Sequence, residues 1–150
     1  MVGGFITKAG GSGFAFVPET INADRYIQLL RDSLLTFLDD MPLDFLHRAV
    51  FQQDNAPAHR SRATMLFLTA NGIRTTLWPA LSPNLKILEI VWAVLKQQVR
   101  LRHPQTLSEL RRTISYLSPR VVTRQLCERL FSTLPSRMDR VIADRGLRFF

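Results

Sequence analysis

The sequence predicts an α/β domain, and three observations carry that reading. Short apolar runs alternate with helical periodicity over the first hundred residues, and an aspartate follows the second group of runs directly. Hydrophobic residues make up 46% of the 150-residue chain and charged residues 21%, which suits a folded core and argues against general disorder. A single cysteine, Cys127, excludes an internal disulfide; without metal-ligand spacing around it, core filling is its expected role.

Residues 1–17 place Gly3, Gly4, Gly10, Gly11 and Gly13 around two short apolar runs, Phe5-Ile6-Thr7 and Phe14-Ala15-Phe16-Val17. That arrangement predicts a hairpin with a Gly-rich connection. Residues 8–13 lack the spacing of either common phosphate-binding glycine motif, so a turn is expected there. From Asn22 to Leu38, Tyr26, Leu29, Leu30, Leu34 and Phe37 recur at helical spacing, and Asp39-Asp40-Met41-Pro42 ends the pattern as a solvated loop.

Residues 49–53 read as a buried strand with Asp54 at its C-terminal end. Asn55 or Pro57 then opens a helix over about His59 to Ala70, which Asn71-Gly72 stops. Residues 73–77 read as a second short strand. Ser82 as N-cap and Pro83 in the first turn begin a helix with Leu85, Leu88, Trp92, Leu95 and Val99 on its apolar stripe. Glu89 falls at the flank of that stripe and is expected at the core edge. Beyond Pro104, residues 107–117 and 120–142 are expected to be mainly helical and rich in arginine.

Twenty Lys and Arg against twelve Asp and Glu give a net charge of +8, a balance that favours polyanionic partners, nucleic acid first. No apolar run approaches the roughly 18 residues of a membrane helix, and no secretory leader pattern is present. A strand-end Asp54 and a helix-borne Glu89 are hard oxygen ligands suited to magnesium, and paired ions can activate an attacking oxygen at a phosphodiester. Acids near strand ends are common in α/β domains, so spacing alone leaves the ordinary reading open.

The local words are more specific. Residues 51–59, Phe-Gln-Gln-Asp-Asn-Ala-Pro-Ala-His, closely resemble the second-carboxylate motif of Tc/mariner DDE transposases. Residues 82–92, Ser-Pro-Asn-Leu-Lys-Ile-Leu-Glu-Ile-Val-Trp, are similar to that family's third-carboxylate motif, usually SPDLNPIE followed by two residues and Trp. Asp54 and Glu89 are separated by 34 residues, the spacing of the Tc-like branch. Val2-Gly3-Gly4, the helix from Asn22, Trp78-Pro79, residues 92–96 and the stretch from Leu134 to Gly146 also fit.

The resemblance implies an RNase H-like fold and, in the parent enzymes, DNA strand cleavage and transfer with Mg2+ or Mn2+ in the nucleus. It implies Asp54 and Glu89 as the second and third metal-binding carboxylates, with Asn55, His59 and Asn84 supporting their motifs. His59 is expected to fix the loop after Asp54 rather than to bind metal, a neutral imidazole being a poor magnesium ligand beside carboxylates. Lys96, Arg100, Arg102, Arg111 and Arg112 are candidates for DNA contact, with a solvated helix face as the alternative. Expected partners are DNA, a full-length transposase or a second copy, with no membrane and no small-molecule substrate.

Departures from the pattern accompany the fit. The family's first Asp lies on a strand upstream of its Val-Trp-Gly segment, so the chain is expected to be N-terminally truncated, without that central strand or the preceding DNA-binding domains. Asp24, Asp32, Asp39, Asp40 and Asp44 all fall downstream of the missing position, and none is assigned to it. Asn84 stands where the family has Asp, Lys86-Ile87 replaces Asn-Pro, and Gly3 replaces Trp. Lys86, three residues before Glu89, is close enough on one helix for an ion pair worth a few tenths of a kcal/mol. The expected organisation is one partial catalytic domain, with a core over about residues 1–100 and a helical tail over about 104–146. Little or no cleavage is expected of this chain alone. The competing expectation is a non-catalytic, transposon-derived protein that binds DNA or pairs with a transposase.

Overall fold

The computed structural model describes residues 2–17, 20–79 and 85–143. Strands β1 (Val2–Ile6) and β2 (Ser12–Phe16) form a two-stranded sheet. Their connection is closed by Thr7, whose N–H donates to the Gly11 carbonyl at 2.7 Å and whose Oγ1 accepts the Gly11 N–H at 2.9 Å. Gly10 adopts φ 91°, a left-handed conformation that glycine takes without steric cost. The Gly-rich segment is thus a hairpin turn, as its spacing predicts.

The predicted helix from Asn22 is present, with an irregular interior. Asn22 Oδ1 accepts the Arg25 N–H at 2.9 Å and caps α1 (Ala23–Leu29). A π-helical segment, Leu30–Leu35, follows and passes into α2 (Thr36–Asp39). Leu30 and Leu34 point into the core, and Asp39 and Asp40 are exposed, in keeping with the solvated loop expected there. A further short helix, α3 (Leu43–Arg48), begins after Pro42.

The two strands expected over residues 49–53 and 73–77 shrink to one parallel bridge between Phe51 and Thr75, with the Phe51 N–H donating to the Arg74 carbonyl at 2.8 Å. Arg74 also donates through its guanidinium to the carbonyls of His47 and Ala49, so a side chain takes the place of further ladder bonds. Between the bridge partners, the expected helix divides in two. Pro57 opens α4 (Pro57–Arg60) at its first position, and Ser61 then restarts the chain as the N-cap of α5 (Arg62–Ala70), its Oγ accepting the Thr64 N–H at 3.1 Å. The stop at Asn71-Gly72 is a Schellman-type cap: Gly72 has φ 65°, and the Ile73 N–H reaches back to the Leu68 carbonyl at 2.9 Å.

The helix carrying Glu89 is α6 (Ile87–Arg100), with Lys86 as its N-cap. The expected start at Ser82-Pro83 lies outside the described residues. Its buried positions are Ile87, Val91 and Leu95, spaced by four, together with Leu85 just ahead of the helix. Leu88, Trp92 and Val99 from the expected stripe are only half-buried. The run Ile87-Leu88-Glu89-Ile90-Val91-Trp92 offers apolar residues on two adjacent faces, and packing selected the one next to that read from spacing.

Thr106 and Glu109 form a capping pair at the start of α7 (Leu107–Val121): Thr106 Oγ1 accepts the Glu109 N–H at 3.1 Å, and Glu109 Oε2 accepts the Gln105 N–H at 2.7 Å. Helices α8 (Arg124–Ser132) and α9 (Leu134–Ala143) follow, so the helical stretch expected from Arg120 is interrupted at 122–123, where Thr123 caps α8.

The chain divides into two compact units, one of residues 1–3 and 15–81, the other of residues 4–14 and 82–150. In the first, Val17, Leu30, Leu34 and Leu68 are buried. In the second, Ile87, Val91, Val122, Cys127 and Leu130 form the core, flanked by Ile6, Phe14 and Leu134. Phe14 meets Trp92 edge-on with ring centroids 5.2 Å apart. Cys127 is fully buried, as expected of core filler, and burial pushes its thiol above the ordinary value.

Candidate metal-binding carboxylates and their supports

Asp54 lies in the first unit, in the short connection between the Phe51–Thr75 bridge and α4. Its side chain is about one-third exposed (37%), open enough to reach a ligand, and its Oδ1 is held twice. The Ala56 N–H donates to it at 3.0 Å, and His59 Nδ1 stands 2.6 Å away. With the proton on Nδ1, His59 donates a short charge-assisted bond that sets the carboxylate plane. The imidazole contacts Asp54 within the motif itself.

His59 is fixed in turn by residues whose part the sequence did not reveal. The Tyr26 ring lies against the imidazole, with centroids 4.1 Å apart and planes tilted by 32°. Tyr26 donates its hydroxyl to Gln53 Oε1 at 2.9 Å, and Gln53 Nε2 donates to the His59 carbonyl at 3.1 Å. Gln53 is buried, so these bonds satisfy a polar group that would otherwise be costly. Burial, with the Asp54 charge adding to it, holds the Tyr26 phenol well above its ordinary pKa. Spacing marks Tyr26 as one member of an apolar helical stripe; its partners lie 27 and 33 residues further on, beyond any local signal.

Asn55 faces another way. Its Nδ2 donates to the Trp78 carbonyl at 2.9 Å and ties the Asp54 connection to the segment that follows Thr75. Asn84 lies outside the described residues.

Glu89 belongs to the second unit and is exposed, not held at the core edge. Each helical residue turns by about 100°, so Glu89 falls nearly opposite Ile87 and Val91 once those positions are the buried ones. In the first turn of α6 a carboxylate also interacts favourably with the helix dipole. Lys86 precedes that helix as its N-cap. Lys96, Arg100, Arg102, Arg111 and Arg112 are all exposed on α6, α7 and the turn between them.

The donor chemistry of Asp54 and Glu89 suits a hard divalent cation, carboxylate oxygens being the ordinary ligands of magnesium and manganese. Among the described residues no group of three or more His, Cys, Asp and Glu side chains gathers as a metal site. Among them, too, no helix is long and apolar enough to cross a membrane.

The sequence profile of the DDE superfamily endonucleases matches residues 1–111. The chain belongs to that family, and within it to the Tc/mariner transposase type. It is 28% identical over 149 residues to the Tc3 transposase of Caenorhabditis elegans, covering 97% of this chain and 44% of that protein. The fold is similar to the Mos1 transposase catalytic domain solved with raltegravir and Mg, at a TM-score of 0.81 and 23% identity over 99% of this chain and 76% of that one. A Mos1 mariner paired-end complex with Mn is similar at a TM-score of 0.79 and 21% identity, over 99% of this chain and 44% of that one. These likenesses establish the RNase H-like α/β fold expected from the sequence.

Proposed function

We propose that this chain carries the second and third carboxylates, Asp54 and Glu89, of a DDE transposase active site whose reaction is metal-dependent DNA strand cleavage and transfer. The observation that carries the reading is the Asp54 carboxylate, fixed through Oδ1 by the Ala56 N–H and by His59 within the nine-residue motif. Support comes from the family membership and from likeness to Mos1 structures containing Mg, and Mn with paired ends.

Asp54 and Glu89 would hold Mg2+ or Mn2+, which when bound polarises the scissile phosphodiester and favours formation of the attacking oxyanion. The protein's own contribution is orientation. His59 and the Ala56 amide fix one Asp54 oxygen, Tyr26 and Gln53 fix His59, and Asn55 ties down the same connection. DNA, as transposon ends and target, is the proposed substrate, the nucleus the proposed place of action, and a transposase chain or a second copy a proposed partner.

Mn2+ titration and cleavage of labelled duplex DNA, with the wild-type chain and with Asp54→Ala and Glu89→Ala, test this reading. Metal binding lost in both variants supports it, together with any wild-type cleavage lost alongside. Mn2+ binding indifferent to both substitutions overturns it.

The exposed arginines of the second unit favour a second reading, a DNA-binding protein without catalysis. Salt-sensitive DNA binding, with neither Mn2+ binding nor cleavage, selects it.

A further inference from the structure

Tyr116 on α7 stands half exposed, and two guanidinium groups are gathered on its ring. The Arg120 guanidinium lies 3.7 Å from the ring centroid and that of Arg102 lies 5.6 Å from it. Arg120 Nη1 also donates to the Tyr116 carbonyl at 2.6 Å. Arg102 arrives from the turn between α6 and α7, which is held by its own bonds. His103 there adopts φ 46°, and its carbonyl accepts from Gln105 Nε2 at 2.8 Å.

One arginine stacked on a tyrosine is ordinary surface chemistry. Two on one ring, with Arg112 one turn earlier on the same helical stripe as Tyr116 and Arg120, concentrate positive charge. The one acid of α7, Glu109, is drawn to the helix N-terminus, where it accepts the Gln105 N–H. Among the described residues no ion pair includes Arg102, Arg112 or Arg120. Like charges assembled without a carboxylate repel one another, and an anion relieves that repulsion. Stacking on the ring also removes rotamer freedom that each arginine would otherwise lose on binding.

We propose that Arg102, Arg112 and Arg120, arranged around Tyr116, form a clamp for the phosphate backbone of duplex DNA. The clamp rests on the DNA-acting reading for the identity of its polyanion, but not on Asp54, Glu89 or any metal. Tyr116 and Arg120 lie beyond residues 1–111, the part matched by the family profile.

The test is fluorescence anisotropy of a labelled duplex, titrated with the whole chain in EDTA over a series of salt concentrations. Arg102→Ala/Arg120→Ala should weaken binding about tenfold at low salt and lower the slope of log affinity against log salt by about 2, one unit for each phosphate no longer neutralised. Arg62→Ala, an exposed arginine of the first unit, supplies the control for loss of charge alone. Tyr116→Phe, which keeps the ring, should bind like wild type, and Tyr116→Leu several-fold more weakly. The titration is carried out in EDTA, without metal, so loss of catalysis and loss of the clamp are separable. A double variant with the slope of the Arg62→Ala control overturns the proposal, as does a wild-type chain that does not bind duplex. Tighter binding to a single strand of the same length overturns the duplex assignment.

Discussion

His59 Nδ1 and Asp54 Oδ1 lie 2.6 Å apart, and the same oxygen accepts the Ala56 N–H at 3.0 Å. An imidazole placed this way acts on a metal through its ligand. His59→Ala should therefore weaken Mn2+ binding about tenfold, the range for loss of a group that orients a ligand, while Asp54→Ala removes it. Calorimetric titration of the three chains gives the comparison, and unchanged affinity in His59→Ala would show that the contact is only structural.

Tyr26 supports that histidine and has its own pH signature. Burial first, and the Asp54 charge second, raise its phenol pKa in the folded chain. Folding thus favours the protonated phenol. This contribution is whole below the unfolded value of about 10 and is lost as pH rises towards the folded value. Tyr26→Phe should cost about 1 kcal/mol at neutral pH for the lost bond to Gln53. Between about pH 9 and 11 its stability should then fall less than that of wild type. Parallel urea curves that keep a constant separation across this range would contradict the assignment.

Gly10 combines φ 91° with a close approach: a Cβ built there would stand 2.7 Å from the Arg124 Cα. Both atoms are backbone or its first branch, so neither can swing aside. Gly10→Ala should destabilise the chain by about 1–3 kcal/mol, read as a lowered thermal midpoint. An unchanged midpoint would mean that the turn and the start of α8 separate at no cost.

Cys127 is fully buried within the second unit, and its thiol is pushed up by that burial. Modification by an aromatic disulfide reagent should accordingly wait for unfolding and accelerate with urea in step with loss of helix. Rapid labelling of the native chain would show that the core around Val91 and Leu130 opens on its own.

The sequence revealed the elements whose signals are local. Gly72 stopped its helix because only the left-handed position satisfies the Leu68 carbonyl, and Asn22 capped the one it precedes, both readable from neighbouring residues. Residues 49–53 and 73–77 were legible as a place for pairing but not for its extent, since Arg74 binds the His47 and Ala49 carbonyls from a side chain. The exposure of Glu89 was missed for a related reason: α6 has two adjacent apolar faces, and only packing chose Ile87, Val91 and Leu95. At the candidate site, Asp54 and His59 were legible because they sit in one short motif. Tyr26 and Gln53 were not, because a helix stripe and a strand end carry no mark of a shared hydrogen bond.

The π-helical segment from Leu30 to Leu35 has a consequence for chain length. Its hydrogen bonds span five residues instead of four, so it holds one amino acid more than a regular helix would need. Buried Leu30 and Leu34 use that surplus to keep a four-residue rhythm in step with the core. Deleting a single residue here would give a smoother helix, yet it would turn Tyr26 by about 100° relative to Phe37 and carry its hydroxyl away from Gln53. The irregularity therefore works as a phase adjustment, and the evolutionary trace to expect is a stretch intolerant of one-residue gaps whose exposed side chains are free to vary while Leu30 and Leu34 stay apolar.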